Sequence, residues 1–139
     1  PFIFGRGGEE VLALKKVGIQ SKIIPGITAA TGASASQCLP LTHRNSARKV
    51  TFQTAHHLDE SEPDLPSEGT LVLYMGASKL KSLQKILLKK GWNEQTGVLL
   101  VQNATQSNEL SEKSSIKMMH LSPLKSPLCI IITKTLSDF

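Results

Sequence analysis

The residues with most chemistry to offer stand at the start of the chain. PFIFGRGG, residues 1–8, sets three glycines around Arg6 behind an apolar cluster. Glycines leave backbone N–H groups unobstructed, and arginine presents a planar fork of donors that matches a carboxylate. Such a loop suits recognition of a ligand rich in carboxylates. Glu9 and Glu10 could instead pair with Arg6 on the surface, and the residues leave both readings open. The glycine spacing is neither GxGxxG nor a P-loop, so no nucleotide phosphate site is expected. Residues 27–37, ITAATGASASQ, carry side chains small enough for backbone to lie close against a neighbour or ligand. His56, His57, Asp59 and Glu60 are metal-ligand types. Adjacent histidines on an extended segment point opposite ways, however, and no further spaced ligand follows, so no metal site is expected. Cys38 and Cys129 belong to no metal-spaced pair and read as buried thiols in a reducing compartment, which points to the cytoplasm.

These residues need elements to hold them. Residues 9–17 place Val11, Leu12 and Leu14 at helical spacing, acids first and lysines last, with Gly18 as the stop. A short strand is expected over 22–24, ended by Pro25-Gly26, and a closely packed helix over 27–37. Strands follow over 49–55, 70–75, 97–101 and 128–133, the last a β-branched run fit for the centre of a sheet. An amphipathic helix is expected over 80–90 before Gly91. Residues 56–69 and 103–115 read as loops, and 116–120 as an edge strand. Strands alternating with helices imply an α/β fold.

Of 139 residues, 40% are hydrophobic and 19% charged, as expected of a globular protein with a core. No apolar run reaches the roughly 18 residues that span a bilayer, so no membrane partner is expected. The net charge of +5 would suit a nucleic acid or a small polyanion. The lysines are dispersed, and Lys79, Lys81, Lys85, Lys89 and Lys90 fall at the spacing of a solvated helix face. No arginine-rich stripe with interleaved aromatics supports nucleic-acid binding.

Six segments, in order, carry a resemblance. They are PFIFGRGGEE at 1–10, IIPGITAATGASAS at 23–36 and LPLTHR at 39–44 with VTF after it. YMG at 74–76, VQNAT at 101–105 and SPLCIII at 126–132 follow. Together they resemble the tetrapyrrole methylases, and the uroporphyrinogen-III C-methyltransferases in particular. The resemblance implies the end of an N-terminal α/β domain over 1–47 and a C-terminal α/β domain with a mixed sheet over 48–139. It implies methylation of uroporphyrinogen III at two pyrrole carbons, giving precorrin-2 for siroheme or cobalamin, with S-adenosylmethionine as donor. Cofactor contacts carried over are Pro1, Ile3, Thr28, Ala29, Met75 and Ala104, with Arg6 toward the substrate. His43-Arg44 would lie near the cleft or a homodimer contact. The family's acid/base groups lie in its N-terminal half, so no catalytic residue is assigned. A chain opening on Pro1 without the preceding Gly-Gly-Asp reads as a piece of a longer or split enzyme. Other branches of the family, making precorrin, diphthine or ribosomal RNA products, fit PFIFGRGGEE and LPLTHR less well. A rival of a different class is a binding or dimerisation module that has kept the fold without the chemistry.

Overall fold

A computed structural model describes residues 1–56 and 64–138, the side chains of Ser137 and Asp138 apart. A five-stranded mixed sheet forms its centre, made of β1 (Val50–Thr54), β2 (Thr70–Tyr74), β3 (Gly97–Gln102), β4 (Leu110–Ser115) and β5 (Leu128–Thr133) in the order β1-β2-β5-β3-β4. β1 and β2 are parallel, while β5 runs antiparallel to both β2 and β3. β1, β2 and β3 therefore point the same way, and their C-terminal ends share one edge of the sheet. This is the mixed α/β architecture expected.

The middle of the sheet follows from its residues. All six positions of β5 are buried, which its LCIIIT sequence allows because neither face carries a charged group. Strand periodicity splits the strand between two cores. Ile130 and Ile132 join Leu71, Leu73, Val98 and Leu100 beneath α3 (Leu80–Lys89), whose Leu80, Leu83 and Leu87 recur at helical spacing. Cys129 and Ile131 face the other way, joining Val72, Leu99 and Val101 beneath α2 (Ala29–Ser36), which supplies Ala30 and Ala33. Small alanines let α2 lie close to the sheet. Lys81, Lys85 and Lys89 stand on the exposed face of α3, as the sequence led us to expect, while Lys79 and Lys90 at its two ends are half-buried. The helix stops at Gly91, φ +88°, where Gly91 N–H donates to Leu88 O and Trp92 N–H to Leu87 O. That pair of bonds is the glycine-ended Schellman cap. α1 (Gly7–Lys16) ends the same way at Gly18, but none of its residues is buried.

Three expected elements differ. Residues 22–24 are not a strand: Ile23 and Ile24 are exposed and pair with nothing strand-like among the described residues. Residues 110–115 are not loop but β4, hydrogen-bonded to β3 from Gln102↔Leu110 to Gly97↔Ser115. An edge strand wetted on its faces needs no apolar alternation; the backbone ladder alone places it. Residues 116–120 are not an edge strand. They form a turn leading into a 3₁₀ helix over Met119–Leu121, with Ile116 and Met119 buried three residues apart and Gln84 Nε2 donating to the Ile116 carbonyl at 3.0 Å.

One glycine holds the β1–β2 entry. Gly69 sits at φ +84°, and a Cβ there would lie 2.8 Å from the Lys49 carbonyl oxygen. Gly69→Ala is expected to cost about 1–3 kcal/mol, through a left-handed backbone and a backbone clash together. A urea midpoint unchanged from the parent would contradict this.

Candidate cleft at the strand ends

The C-terminal ends of β2 and β3 flank β5, and each is followed by a residue in the left-handed region: Met75 at φ +58° and Asn103 at φ +53°. Thr105 follows at φ +68°. A residue other than glycine in this conformation costs of order 1 kcal/mol or more, and such strain concentrates where a loop is shaped for a ligand. Crevices beyond the carboxyl ends of strands are also where open α/β sheets take ligands.

A hollow of about 540 Å³ opens at this edge, lined among others by Ala29, Tyr74, Met75, Asn103, Ala104 and Cys129. A second hollow of about 480 Å³ adjoins it, lined by Thr28, Ala29, Gly32, Ala104 and Thr105 among others. Ala29 and Ala104 border both. The first turn of α2 thus forms a common wall between them. Four residues marked from sequence (Thr28, Ala29, Met75 and Ala104) therefore converge on one place. Close approach is built in here: a Cβ on Gly32 would meet Thr105 Cγ2 at 3.3 Å.

Pro1, Ile3 and Arg6 border neither hollow. Their loop nevertheless reaches the cleft through Phe4, whose ring lies 4.9 Å from that of Tyr74. Arg6 takes the surface alternative: its Nε and Nη2 both donate to Glu9 Oε2, at 2.8 and 2.6 Å, with both side chains exposed. Such a pair contributes about 0–1 kcal/mol. His43 and Arg44 stand in a tight turn closed by backbone bonds between His43 and Ala47, away from both hollows. His57, Asp59 and Glu60 lie outside the described residues, and among those described no group of three or more potential metal ligands gathers.

Tyr74 was not marked from sequence, yet it borders the larger hollow. Its hydroxyl lies 2.6 Å from Thr28 Oγ1 and accepts the Ala30 N–H at 3.1 Å. Glu109 was likewise missed. Its carboxylate accepts the Thr105 N–H and, at 2.5 Å, a Gln37 Nε2–H, tying the loop after β3 to the end of α2. The Thr105 amide holds the Glu109 carboxyl below its ordinary value of 4.5; burial opposes it, and bonds from Gln37 and Ser36 add to the lowering. The Tyr74 bonds span 46 and 44 residues and the Gln37–Glu109 bond 72, so none of these could be read locally; only the Glu109–Thr105 bond is local, four residues apart.

The cysteines part company. Cys129 is buried in the cleft wall, and burial pushes its thiol up to about 12, leaving it a poor nucleophile. Cys38, expected in the core, is exposed; it sits at φ +50° just past α2, and Leu39 takes the buried place.

Among the described residues, none that lines the larger of these two hollows carries a formal charge. The wall is apolar, with backbone amides and a few hydroxyl and amide groups at its edges. That chemistry suits a flat, polar-edged ligand such as a nucleoside, whose ring would meet the apolar wall and whose edges would meet backbone. Among the described residues it offers no carboxylate, imidazole or amine to move a proton. A wider hollow of about 760 Å³ lies at the opposite ends of β3 and β4, near Gly97, Ser115, Met118 and Lys134. It gathers none of the residues marked from sequence, and we place the site at the strained loops.

No helix among the described residues is long and apolar enough to cross a membrane. The chain is 41% identical over 140 residues to the siroheme synthase of Baumannia cicadellinicola subsp. Homalodisca coagulata, covering 94% of this chain and 30% of that protein. It is 47% identical over 109 residues to the siroheme synthase of Edwardsiella ictaluri (strain 93-146), covering 76% of this chain and 24% of that one. The uroporphyrin-III C-methyl transferase of Thermus thermophilus, solved with S-adenyl homocysteine, superposes with a TM-score of 0.86 at 28% identity, over 100% of this chain and 64% of that structure. The chain thus spans under a third of these siroheme synthases and a little under two thirds of the solved transferase. Residues 1–119 match the tetrapyrrole (corrin/porphyrin) methylases, and to that family the chain belongs.

Proposed function

We propose that the chain is the greater part of an S-adenosylmethionine-dependent C-methyltransferase that acts on uroporphyrinogen III at two pyrrole carbons, giving precorrin-2 on the way to siroheme or cobalamin. The observation that carries this reading is the convergence of Thr28, Ala29, Met75 and Ala104 on adjoining hollows at the strand ends. The family gives the reaction class, and the names of relatives, siroheme synthase and uroporphyrin-III C-methyl transferase, support the choice of substrate.

When bound, S-adenosylmethionine supplies an electrophilic methyl on sulfonium. The chain's own residues would align it and keep water out. Ala29 and Ala104 leave room for the nucleoside, Met75 offers a polarisable apolar wall, and Thr28 offers a hydroxyl at the rim. Pro1 and Ile3 would close the other side from the first loop. Arg6 would turn from Glu9 to a substrate carboxylate, an exchange that a pair so exposed opposes only weakly.

Residues 1–47 would then be the end of an N-terminal α/β domain and 48–139 the C-terminal domain. The apolar surface left open at Ile3, Leu12, Val17, Ile24 and Ile27 supports this, because it would be covered by the remainder of that first domain. A homodimer in the cytoplasm completes the proposal. A second reading, an inactive binding or dimerisation module, is favoured by one observation: among the described residues no carboxylate, histidine or lysine borders either hollow.

Methyl transfer to uroporphyrinogen III, assayed with and without a separate polypeptide supplying the uncovered third of the Thermus protein's fold, distinguishes the two. Turnover only in the mixture is the expected result. A chain that retains S-adenosylhomocysteine but stays silent in the mixture is the inactive module.

A further inference from the structure

We infer that Tyr74 is a positioning residue for the cleft, holding the first turn of α2 and the opening loop in the geometry that receives the methyl donor. The inference rests on the reading of this cleft as the donor's site, and it concerns a residue to which neither the resemblance nor the relatives assign a role.

A helix begins with N–H groups that its own carbonyls cannot reach, and a threonine at the N-cap ordinarily satisfies one of them with its side-chain oxygen. Thr28 occupies the N-cap of α2 but makes no such bond to its own helix. Its hydroxyl is instead engaged with Tyr74 Oη at 2.6 Å, and it is Tyr74 Oη that accepts the Ala30 N–H, at 3.1 Å. The cap oxygen of α2 therefore comes from the end of β2. A cap delivered from another element does what a local cap cannot: it fixes where the helix starts relative to the sheet.

The ring of Tyr74 is itself held from two sides. Phe4 of the opening loop lies 4.9 Å away at 54°, and Phe52 of β1 lies 6.3 Å away at 62°. The residue after it is the strained Met75. One side chain thus touches the opening loop, β1 and the first turn of α2, and borders the hollow itself. Small displacements would matter, because α2 already lies against the loop after β3 at Gly32 and Thr105. A bland alternative, in which Tyr74 only packs, makes the hydroxyl dispensable for ligand affinity.

The test removes that oxygen and keeps the ring. Parent and Tyr74→Phe are compared by titration with S-adenosylhomocysteine, by urea midpoint, and by hydrogen exchange at the Ala30 amide without ligand. We expect Tyr74→Phe to bind about five- to tenfold more weakly, the size of a lost helix cap expressed as affinity. We also expect the Ala30 amide to exchange faster while amides of β5 keep their protection. Equal affinity for both proteins overturns the inference, even if the variant unfolds more easily, since that marks a purely structural tyrosine. Unchanged exchange at Ala30 overturns it too, whatever the affinity. A parent that binds no S-adenosylhomocysteine sinks the reading of the cleft, and the exchange data alone then decide whether Tyr74 holds α2.

Discussion

Ile131→Ala is expected to lower the unfolding free energy by about 4 kcal/mol, toward the upper end for an isoleucine-to-alanine change in a core. Ile131 is fully buried in the central strand, on the face that carries α2. It pairs across the ladder with Val72 on one side and Leu99 on the other. Neighbours on both sides are fixed by sheet hydrogen bonds, so the space left behind cannot collapse. A domain of this size holds roughly 5–15 kcal/mol in all, so the variant should keep only a fraction of its stability. Because this face supports α2, the loss should reach the cleft as well. Urea denaturation checks the first point; a loss under about 1 kcal/mol would mean that the site repacks, against the account of a rigid two-faced centre.

The second large effect concerns ligand rather than stability. Ala104→Phe should reduce affinity for S-adenosylhomocysteine by at least about a hundredfold, because a phenyl ring placed where the two hollows meet displaces the ligand from both. Ala104 is only half-buried, at the margin of the α2-side core, so the urea midpoint should move little. Calorimetric titration is the measurement. Binding of parental strength would show that the ligand does not use the loop after β3.

The centre of the sheet was legible because burial on two faces leaves a compositional mark. LCIIIT has no other good home than a central strand, and Leu80, Leu83 and Leu87 declare α3 by spacing alone. The motif segments marked four of the residues that meet at the cleft. What sequence hid follows a common cause. β4, reading LSEKSS, is set by its backbone ladder to β3, and its side chains carry no periodic signal. Ile116 and Met119 suggest an edge strand by residue type, but their spacing of three belongs to a turn and a 3₁₀ helix. Ile23 and Ile24 have strand propensity, but a strand exists only with a neighbour to pair with. Tyr74 acts through partners far along the chain, as does Glu109 in its bond to Gln37, and no local pattern could announce those contacts. Arg6 had two open readings, and the geometry shows the pair with Glu9.

The chain's three methionines allow the most direct test. Met75 borders the cleft, Met118 borders the wide hollow at the opposite ends of the strands, and Met119 is fully buried beneath α3. With the methionine methyls labelled with carbon-13, S-adenosylhomocysteine at millimolar concentration should shift the Met75 signal and leave Met118 and Met119 in place. A saturable shift at Met118 with Met75 unmoved would contradict the account, and so would no shift at any of the three.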